Sequence, residues 1–150
     1  MTTNTCNVKV FEADVDKGWL KSQNWWFDQG FPHSFSIFDL DGFYEENYFK
    51  QDHVSPQIVR RYVTHVLDYG RKVLGREVRS VLELGCGGGW FTEEFLKRGI
   101  DVIAAEGTHA GYNRALQRGV PAARLIRHDL RLPLTLDRTF DMVVCTEVAE

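Results

Sequence analysis

The stretch VLELGCGGGW, Val81 to Trp90, decides the fold because an apolar run passes directly into a glycine-rich turn. The run SVLELG has the apolar character of a buried strand. The residues after the turn, WFTEEFLKRG, have helical spacing, with Gly99 as the helix stop. A strand that feeds a glycine-rich turn and then a helix is typical of three kinds of nucleotide pocket, which the spacing of the glycines distinguishes.

The chain from Ser55 onward predicts an alternation of helices and strands. Ser55 is a good N-cap, Pro56 suits the first helical position and Gly75 is a typical stop, so a long helix is predicted between them. The further elements are strands over 80–85, 101–107, 123–130 and 140–148 and helices over 90–99 and 108–119. This pattern predicts an α/β, Rossmann-like fold, with a mostly parallel sheet of about four strands and flanking helices. In such sheets, ligands bind beyond the carboxyl ends of the strands.

The spacing of the glycines excludes two of the three pockets. A phosphate-binding loop requires a lysine after its last glycine, and here Trp90 follows Gly89. The dinucleotide pattern G-x-G-x-x-G fails as well, since Trp90 stands where the third glycine belongs when the count starts at Gly85. The third pattern is an acidic residue, one apolar residue and then G-x-G-x-G. The residues from Glu83 to Gly89 match it in full.

In this pattern the chain resembles the class I S-adenosylmethionine-dependent methyltransferases. The resemblance implies S-adenosylmethionine as the cofactor and S-adenosylhomocysteine as its product. It also implies a role for the turn formed by Gly85, Cys86, Gly87 and Gly89. The amino-acid and ribose parts of the cofactor would lie against its backbone, where larger side chains would block them. Glu83 would hold the cationic amino group, directly or through water.

The later strand ends strengthen the resemblance. Glu106, followed by Gly107, ends the second strand, where the family has an acidic residue that accepts hydrogen bonds from both ribose hydroxyls. Asp129 follows the third strand and would lie near the adenine amino group, with Leu130 covering the ring. Cys145 belongs to the fourth strand, whose end lines the pocket of methyl transfer in this family. Catalytic residues stay unassigned, and the cysteines and histidines show no spacing typical of a metal site.

The first 54 residues form an irregular segment that holds most of the aromatic residues, and we expect them mainly to pack against the domain that follows. Tyr44 and Tyr48 could instead cover the cofactor. The motif IFDLDGF resembles the start of haloacid-dehalogenase-type phosphatases, in which Asp39 would be the nucleophile and Asp41 the acid/base. Phe43 replaces the threonine of that motif, so a polar turn is the favoured interpretation.

Composition limits the partners. The 150 residues are 43% hydrophobic and 26% charged, with a formal net charge of −3, which gives no reason to expect binding to nucleic acid or an anionic membrane. No apolar stretch approaches the roughly 18 residues of a membrane span. Cys6, Cys86 and Cys145 are scattered, as in proteins of a reducing compartment. We therefore expect a cytoplasmic protein. The resemblance to methyltransferases that act on small molecules or sugars implies a small-molecule or sugar-type methyl acceptor.

The resemblance also implies an incomplete domain. The class I fold has seven strands, so residues 55–150 would be its first four, truncated after the fourth strand. That strand would have an unpaired edge, which a second subunit or a missing C-terminal half would cover. We expect the chain to supply the cofactor-binding half of a longer enzyme and to have doubtful activity alone. The alternative is a non-catalytic fragment that binds the cofactor or packs against a partner.

Overall fold

The computed structural model describes residues 41, 44, 48, 49, 54–130 and 132–146, all within one compact unit over residues 39–150. Its helices are α1 (Pro56–Leu74), α2 (Trp90–Lys97) and α3 (His109–Arg118). Its strands are β1 (Ser80–Leu84), β2 (Asp101–Glu106), β3 (Leu125–Arg127) and β4 (Met142–Cys145). Most of the predicted N-terminal segment, including Asp39 and Cys6, lies outside the described residues.

The first helix begins and ends at the predicted residues because both ends carry capping groups. The Ser55 hydroxyl accepts a hydrogen bond from the Ile58 N–H at 3.3 Å, and Pro56 occupies the first helical position. Gly75 ends the helix in the left-handed region, at a φ of 67°. Val63 lies on the apolar stripe of this helix and is fully buried against the sheet.

The four described strands form one parallel sheet in the order β3-β2-β1-β4, which confirms the predicted α/β, Rossmann-like architecture. Val81 of β1 pairs with Val102 of β2 on one side and with Met142 of β4 on the other. The chain thus runs outward from β1 through β2 and β3 and then returns to the opposite side of β1. In parallel α/β sheets such a reversal leaves a crevice at the carboxyl ends of the central strands, which is where a ligand binds.

Alternate strand residues form the core under the helices. One buried cluster joins Val63 of α1 and Phe95 of α2 to the sheet, and a second joins Ala115 of α3 to it. The strand members of these clusters are Val81, Val102, Ala104, Leu125 and Val144. The residues between them point to the opposite face. There Leu82, Leu84, Val143 and Cys145 line an open groove, and Val143 is 58% exposed.

The third strand is shorter than the predicted span of 123–130 because a turn lies at each of its ends. Pro121 precedes a 3₁₀ turn, Ala122–Arg124, in which the Arg124 N–H donates to the Pro121 carbonyl at 2.8 Å. After β3, the Leu132 N–H donates to the Asp129 carbonyl at 2.9 Å and forms another turn. The backbone is therefore free to pair as a strand over only three residues.

The fourth strand begins two residues later than predicted, after Asp141. The Asp141 carboxylate accepts hydrogen bonds from the N–H groups of Arg79 and Ser80, at 2.7 and 3.1 Å, and pairs with Arg76 at 2.6 Å. These contacts hold the beginnings of β1 and β4 together. The last predicted residues of this strand, 147 and 148, lie outside the described residues. None of the helices in the described part of the chain is long and apolar enough to cross a membrane.

Candidate functional site

The glycine turn after β1 runs along the end of β2 before it enters α2. The N–H groups of Gly85 and Cys86 both donate to the Ala105 carbonyl, at 2.8 and 3.1 Å. Gly85, Gly87 and Gly89 have φ angles of 69°, 53° and 76°, in the left-handed region that favours glycine. The three glycines of the G-x-G-x-G pattern are therefore required by the backbone itself.

Glycine is required at position 89 for a second reason, because α3 approaches it closely. A Cβ atom at Gly89 would lie 2.9 Å from the Cβ of Ala115 and 3.0 Å from Cγ2 of Val120. Trp90 begins α2, as predicted, and its ring centroid lies 3.1 Å from the Arg118 guanidinium carbon. The last glycine of the turn thus lets α2 start directly against its neighbouring helix, which fixes the position of the whole turn.

Glu83 lies near the end of β1 and is only 3% exposed. The Thr92 hydroxyl of α2 donates a hydrogen bond to its Oε2 at 2.6 Å. Burial raises the pKa of Glu83 to about 7, the Thr92 hydrogen bond opposes this rise, and the negative charge of Glu106 adds to it. Near neutral pH the carboxyl group is therefore divided between its charged and neutral forms, and a cation placed beside it would favour the charged form.

Glu106, the last residue of β2, ties the glycine turn to the start of α3. Its Oε2 accepts a hydrogen bond from the Gly87 N–H at 2.8 Å. Its Oε1 accepts from both the N–H and the hydroxyl of Thr108, at 2.8 and 2.6 Å. A carboxylate offers about four acceptor positions, so these three bonds leave about one. Glu106 can therefore accept a hydrogen bond directly from one further hydroxyl. The predicted contact with both ribose hydroxyls requires Gly87 or Thr108 to give up its hydrogen bond to Glu106.

The two buried carboxyl groups have only neutral donors among the described residues, namely Thr92, Gly87 and Thr108. Cys86, between them in the turn, is also buried. Burial, followed by the charges of Glu83 and Glu106, raises the pKa of the Cys86 thiol, which disfavours the nucleophilic thiolate. The site is therefore suited to a ligand with a positive charge and hydroxyl groups, and thiol chemistry is disfavoured.

The other predicted site residues lie in two places. Gly107 separates Glu106 from Thr108, and Asp129 follows β3, whose end lies beside Glu106 because the His128 N–H donates to the Glu106 carbonyl at 2.9 Å. Leu130 and Cys145 lie instead in the groove on the opposite face of the sheet, which has a volume of about 680 Å³ and a largely leucine lining. The structure therefore brings Glu83, Glu106 and the glycine turn together, and it groups Leu130 and Cys145 separately.

The two threonines that hold the acidic side chains were not predicted from the sequence. Thr92 and Thr108 are buried, with 0% and 3% of their surface exposed. Thr108 also caps α3, because its hydroxyl accepts a hydrogen bond from the Gly111 N–H at 3.0 Å. A threonine at the start of a helix is a recognisable capping signal. Thr92 lies inside α2, and no local pattern indicates its contact with Glu83.

A contact between α1 and the end of β4 was also not predicted. The Tyr62 and Thr146 hydroxyl oxygens lie 2.6 Å apart, and the Tyr62 ring packs on Phe91 with centroids 4.5 Å apart. Thr146 directly follows Cys145, so this pair of hydroxyls lies at the edge where the strands end. The two residues are 84 positions apart in the chain, so no local sequence pattern connects them.

Asp41, one of the two acidic residues of the phosphatase-like motif, is held in a cluster with His109 and Arg127. Its Oδ1 accepts a hydrogen bond from the His109 N–H at 2.5 Å, and its Oδ2 pairs with Arg127 at 2.9 Å. Arg127 Nη1 also contacts His109 Nε2. These contacts give the carboxylate a structural role, which weakens the case for an acid/base role. In the described part of the chain, no group of three or more His, Cys, Asp or Glu side chains could hold a metal ion.

Residues 81–150 match a family model described as a methyltransferase domain. A comparison with curated proteins gave no match.

Solved structures share the fold over most of this chain. CalS10, an amino pentose methyltransferase from Micromonospora echinaspora with S-adenosylmethionine bound, is 27% identical, with a TM-score of 0.53 over 75% of this chain and 42% of that chain. DesVI from Streptomyces venezuelae is 25% identical, with a TM-score of 0.53 over 76% of this chain and 44% of that chain. The plantazolicin methyltransferase BpumL in complex with S-adenosylhomocysteine is 16% identical, with a TM-score of 0.57 over 73% of this chain and 42% of that chain. This chain spans less than half the length of each of these structures.

Proposed function

Because residues 81–150 belong to the class I S-adenosylmethionine-dependent methyltransferases, we propose that this chain binds S-adenosylmethionine at its glycine turn and serves in methyl transfer. One observation carries the proposal. Glu83 and Glu106 are buried on either side of the turn, and their described partners are neutral donors. Buried carboxylates are costly unless a charge or hydrogen bonds compensate them. A ligand with an ammonium group and ribose hydroxyls supplies both.

Glu83 is proposed to bind the ammonium group of the cofactor. A positive charge near this carboxyl lowers its pKa from about 7 toward the ordinary range of a glutamate. The attraction is strong because both groups are removed from water. Thr92 keeps the carboxylate oriented through its hydrogen bond of 2.6 Å.

Glu106 is proposed to accept a hydrogen bond from a ribose hydroxyl at its remaining acceptor position. The second hydroxyl would replace one of the bonds from Gly87 or Thr108. Asp129 is proposed to bind the adenine amino group, a role supported by its position after β3, next to the end of β2. Gly85, Cys86, Gly87 and Gly89 form the turn against which the cofactor lies.

When bound, S-adenosylmethionine supplies a sulfonium methyl group, which a nucleophilic atom of the acceptor displaces in line as the carbon–sulfur bond breaks to give S-adenosylhomocysteine. The contribution of the protein is to hold the two reactants in line. We propose a small-molecule acceptor of the sugar type, supported by the 27% identity to an amino pentose methyltransferase. Residues that contact the acceptor are not assigned.

We further propose that additional polypeptide covers the apolar groove lined by Leu84, Leu130, Val143 and Cys145. Support comes from the exposure of Val143 and from the relatives, of which this chain spans 42–44%. The covering part is either the remainder of a longer protein or a second subunit, and it would also provide acceptor contacts.

The scattered thiols favour a cytoplasmic location, which we propose for this protein.

Calorimetric titration with S-adenosylhomocysteine tests the cofactor assignment. The wild-type protein should bind the product, and Glu106→Ala should bind it at least roughly tenfold more weakly, since a lost charge-assisted hydrogen bond is worth about 1.5–3 kcal/mol. Glu77→Gln, which changes an exposed carboxylate near the start of β1, should bind as the wild type does. Absence of binding, or equal binding by Glu106→Ala and the wild type, would refute the assignment.

Methyl transfer itself requires a separate assay. Transfer of a radiolabelled methyl group to an amino sugar acceptor should occur with a form of the protein that includes the covering part, whether this is further polypeptide or a second subunit. Binding of S-adenosylhomocysteine without transfer in that form would favour the non-catalytic alternative.

A further inference from the structure

Asp41 connects the N-terminal part of the chain to the edge of the sheet at which the proposed cofactor site lies. It accepts the N–H of His109, the first residue of α3, and it pairs with Arg127 at the end of β3. Glu106 lies beneath the same helix terminus, bonded to Thr108. Asp41 is thus bonded to His109, the residue directly after Thr108, and Thr108 orients Glu106.

Three aromatic rings that follow Asp41 in the sequence form a cluster, and one of them, Phe49, contacts the glycine turn. Tyr44 and Phe49 each pack near Tyr48, with ring centroids 5.0 Å apart in both pairs, and Tyr44 and Phe49 are 6.4 Å apart. Such edge-to-face arrangements fall in the favourable range for aromatic pairs. The Phe49 ring edge lies 3.4 Å from the position that a Cβ atom of Gly87 would occupy. Phe49 therefore contacts the residue whose N–H is bonded to Glu106, and the other two rings pack against Phe49.

Both sets of contacts involve neighbours of Glu106, the proposed ribose contact. Asp41 bonds to His109, the residue after Thr108, and Phe49 lies against Gly87. We propose that Asp41 is a positioning residue for cofactor binding, which fixes the start of α3, where Thr108 orients Glu106, against the end of β3 by joining His109 and Arg127. The inference rests on the proposed function, because it presumes that the turn is the cofactor site.

The physical basis is preorganisation. Side chains that are already held in place at a binding site need not be ordered when the ligand binds, so the affinity is higher. The ion pair is partly exposed, with 40% of the Asp41 and 38% of the Arg127 side chain accessible, and salt therefore screens it. High ionic strength should weaken this contribution in the wild-type protein.

Calorimetric titration of S-adenosylhomocysteine into Asp41 and Arg127 variants tests the proposal. Asp41→Asn keeps an acceptor for the His109 N–H but loses the ion pair, so its affinity should fall roughly threefold. Asp41→Ala loses both contacts, and its affinity should fall roughly tenfold. Arg127→Gln should resemble Asp41→Asn, and the double variant Asp41→Asn with Arg127→Gln should bind no more weakly than either single variant. Added salt should weaken wild-type binding and leave these variants nearly unchanged.

Asp68→Asn is the matched control, because Asp68 forms an ion pair with Arg71 at 2.7 Å on α1, apart from the glycine turn. Its affinity should equal that of the wild type. Thermal unfolding without ligand separates positioning from general stability, since Asp41→Asn and Asp68→Asn should melt at similar temperatures. Equal affinities of Asp41→Ala and the wild type would overturn the role of Asp41 and leave the proposed function intact. So would a loss of affinity in Asp41→Ala that is matched by a large loss of thermal stability. A wild-type protein that fails to bind would overturn the proposed function and this inference together.

Discussion

Replacement of Glu83 by glutamine should stabilise the folded chain above neutral pH and at the same time weaken cofactor binding. The glutamine side chain has nearly the same volume, and its carbonyl oxygen can still accept the hydrogen bond from Thr92. Glutamine carries no charge at any pH, so the variant does not have the cost of burying a carboxylate, which the wild type has once Glu83 ionises. Without that charge, however, it cannot attract an ammonium group.

The size of the effect follows from the raised pKa of Glu83. Because the folded protein binds this proton more tightly than the unfolded chain does, the wild type is most stable below about pH 4.5 and loses stability as the pH rises through about 7. A shift from 4.5 to about 7 corresponds to about 3 kcal/mol above pH 7, at about 1.4 kcal/mol per pH unit. Between pH 5 and pH 8 the wild type should therefore lose about 2–3 kcal/mol relative to Glu83→Gln.

Urea unfolding at pH 5 and pH 8 measures this difference. The comparison with Glu83→Gln cancels the titration of all other groups, and Glu77→Gln serves as a control whose carboxylate is 72% exposed. Calorimetry with S-adenosylhomocysteine on the same samples should show that Glu83→Gln, although more stable at pH 8, binds more weakly. The reasoning is refuted if Glu83→Gln and the wild type have the same pH dependence, or if the variant binds as tightly as the wild type.

Two further predictions concern the framework of the site. Gly89→Ala should cost about 2–5 kcal/mol of unfolding free energy, since its φ is 76° and its Cβ would lie 2.9 Å from Ala115. Gly75→Ala, at a φ of 67° with open space around it, should cost about 1 kcal/mol, and equal losses in urea unfolding would contradict the packing argument. Asp141→Asn should be less stable than the wild type at pH 7, because Arg76 and the N–H groups of Arg79 and Ser80 hold the pKa of the Asp141 carboxyl well below its ordinary value. This difference should begin to shrink in acid unfolding as the pH falls below 3.8 and should vanish only once the pH falls through the lowered pKa of the Asp141 carboxyl, and a difference of constant size throughout the acid range would contradict it.

The sequence predicted those parts of the fold that local signals determine. Ser55, Pro56 and Gly75 mark the ends of α1, and the structure confirms them. The strands β1 and β2 were recognised because both are apolar runs bounded by turns. The predicted length of β3 was wrong because a 3₁₀ turn after Pro121 and a second turn from Asp129 to Leu132 limit the strand to three residues.

The site was predictable only as far as its glycines and acidic residues. Glu83 was predicted from its place in the pattern before the glycine turn and Glu106 from its place at the end of the second strand, whereas the burial of both side chains is a result of the fold. The hydrogen bonds of Glu106 to Gly87 and of Asp41 to His109 join residues 19 and 68 positions apart. Contacts of this kind depend on how the strands and helices are arranged in three dimensions, and no local pattern in one sequence encodes them.

The most direct test of the central claim is to map where S-adenosylhomocysteine binds by the amide chemical shifts of the ¹⁵N-labelled protein, whose 17.3 kDa suits the method. The account predicts the largest shifts at the N–H groups of Gly87 and Thr108, which donate to Glu106, and smaller ones elsewhere in the turn. Absence of shifts on saturation, or shifts confined to the apolar groove around Leu82 and Val143, would contradict it.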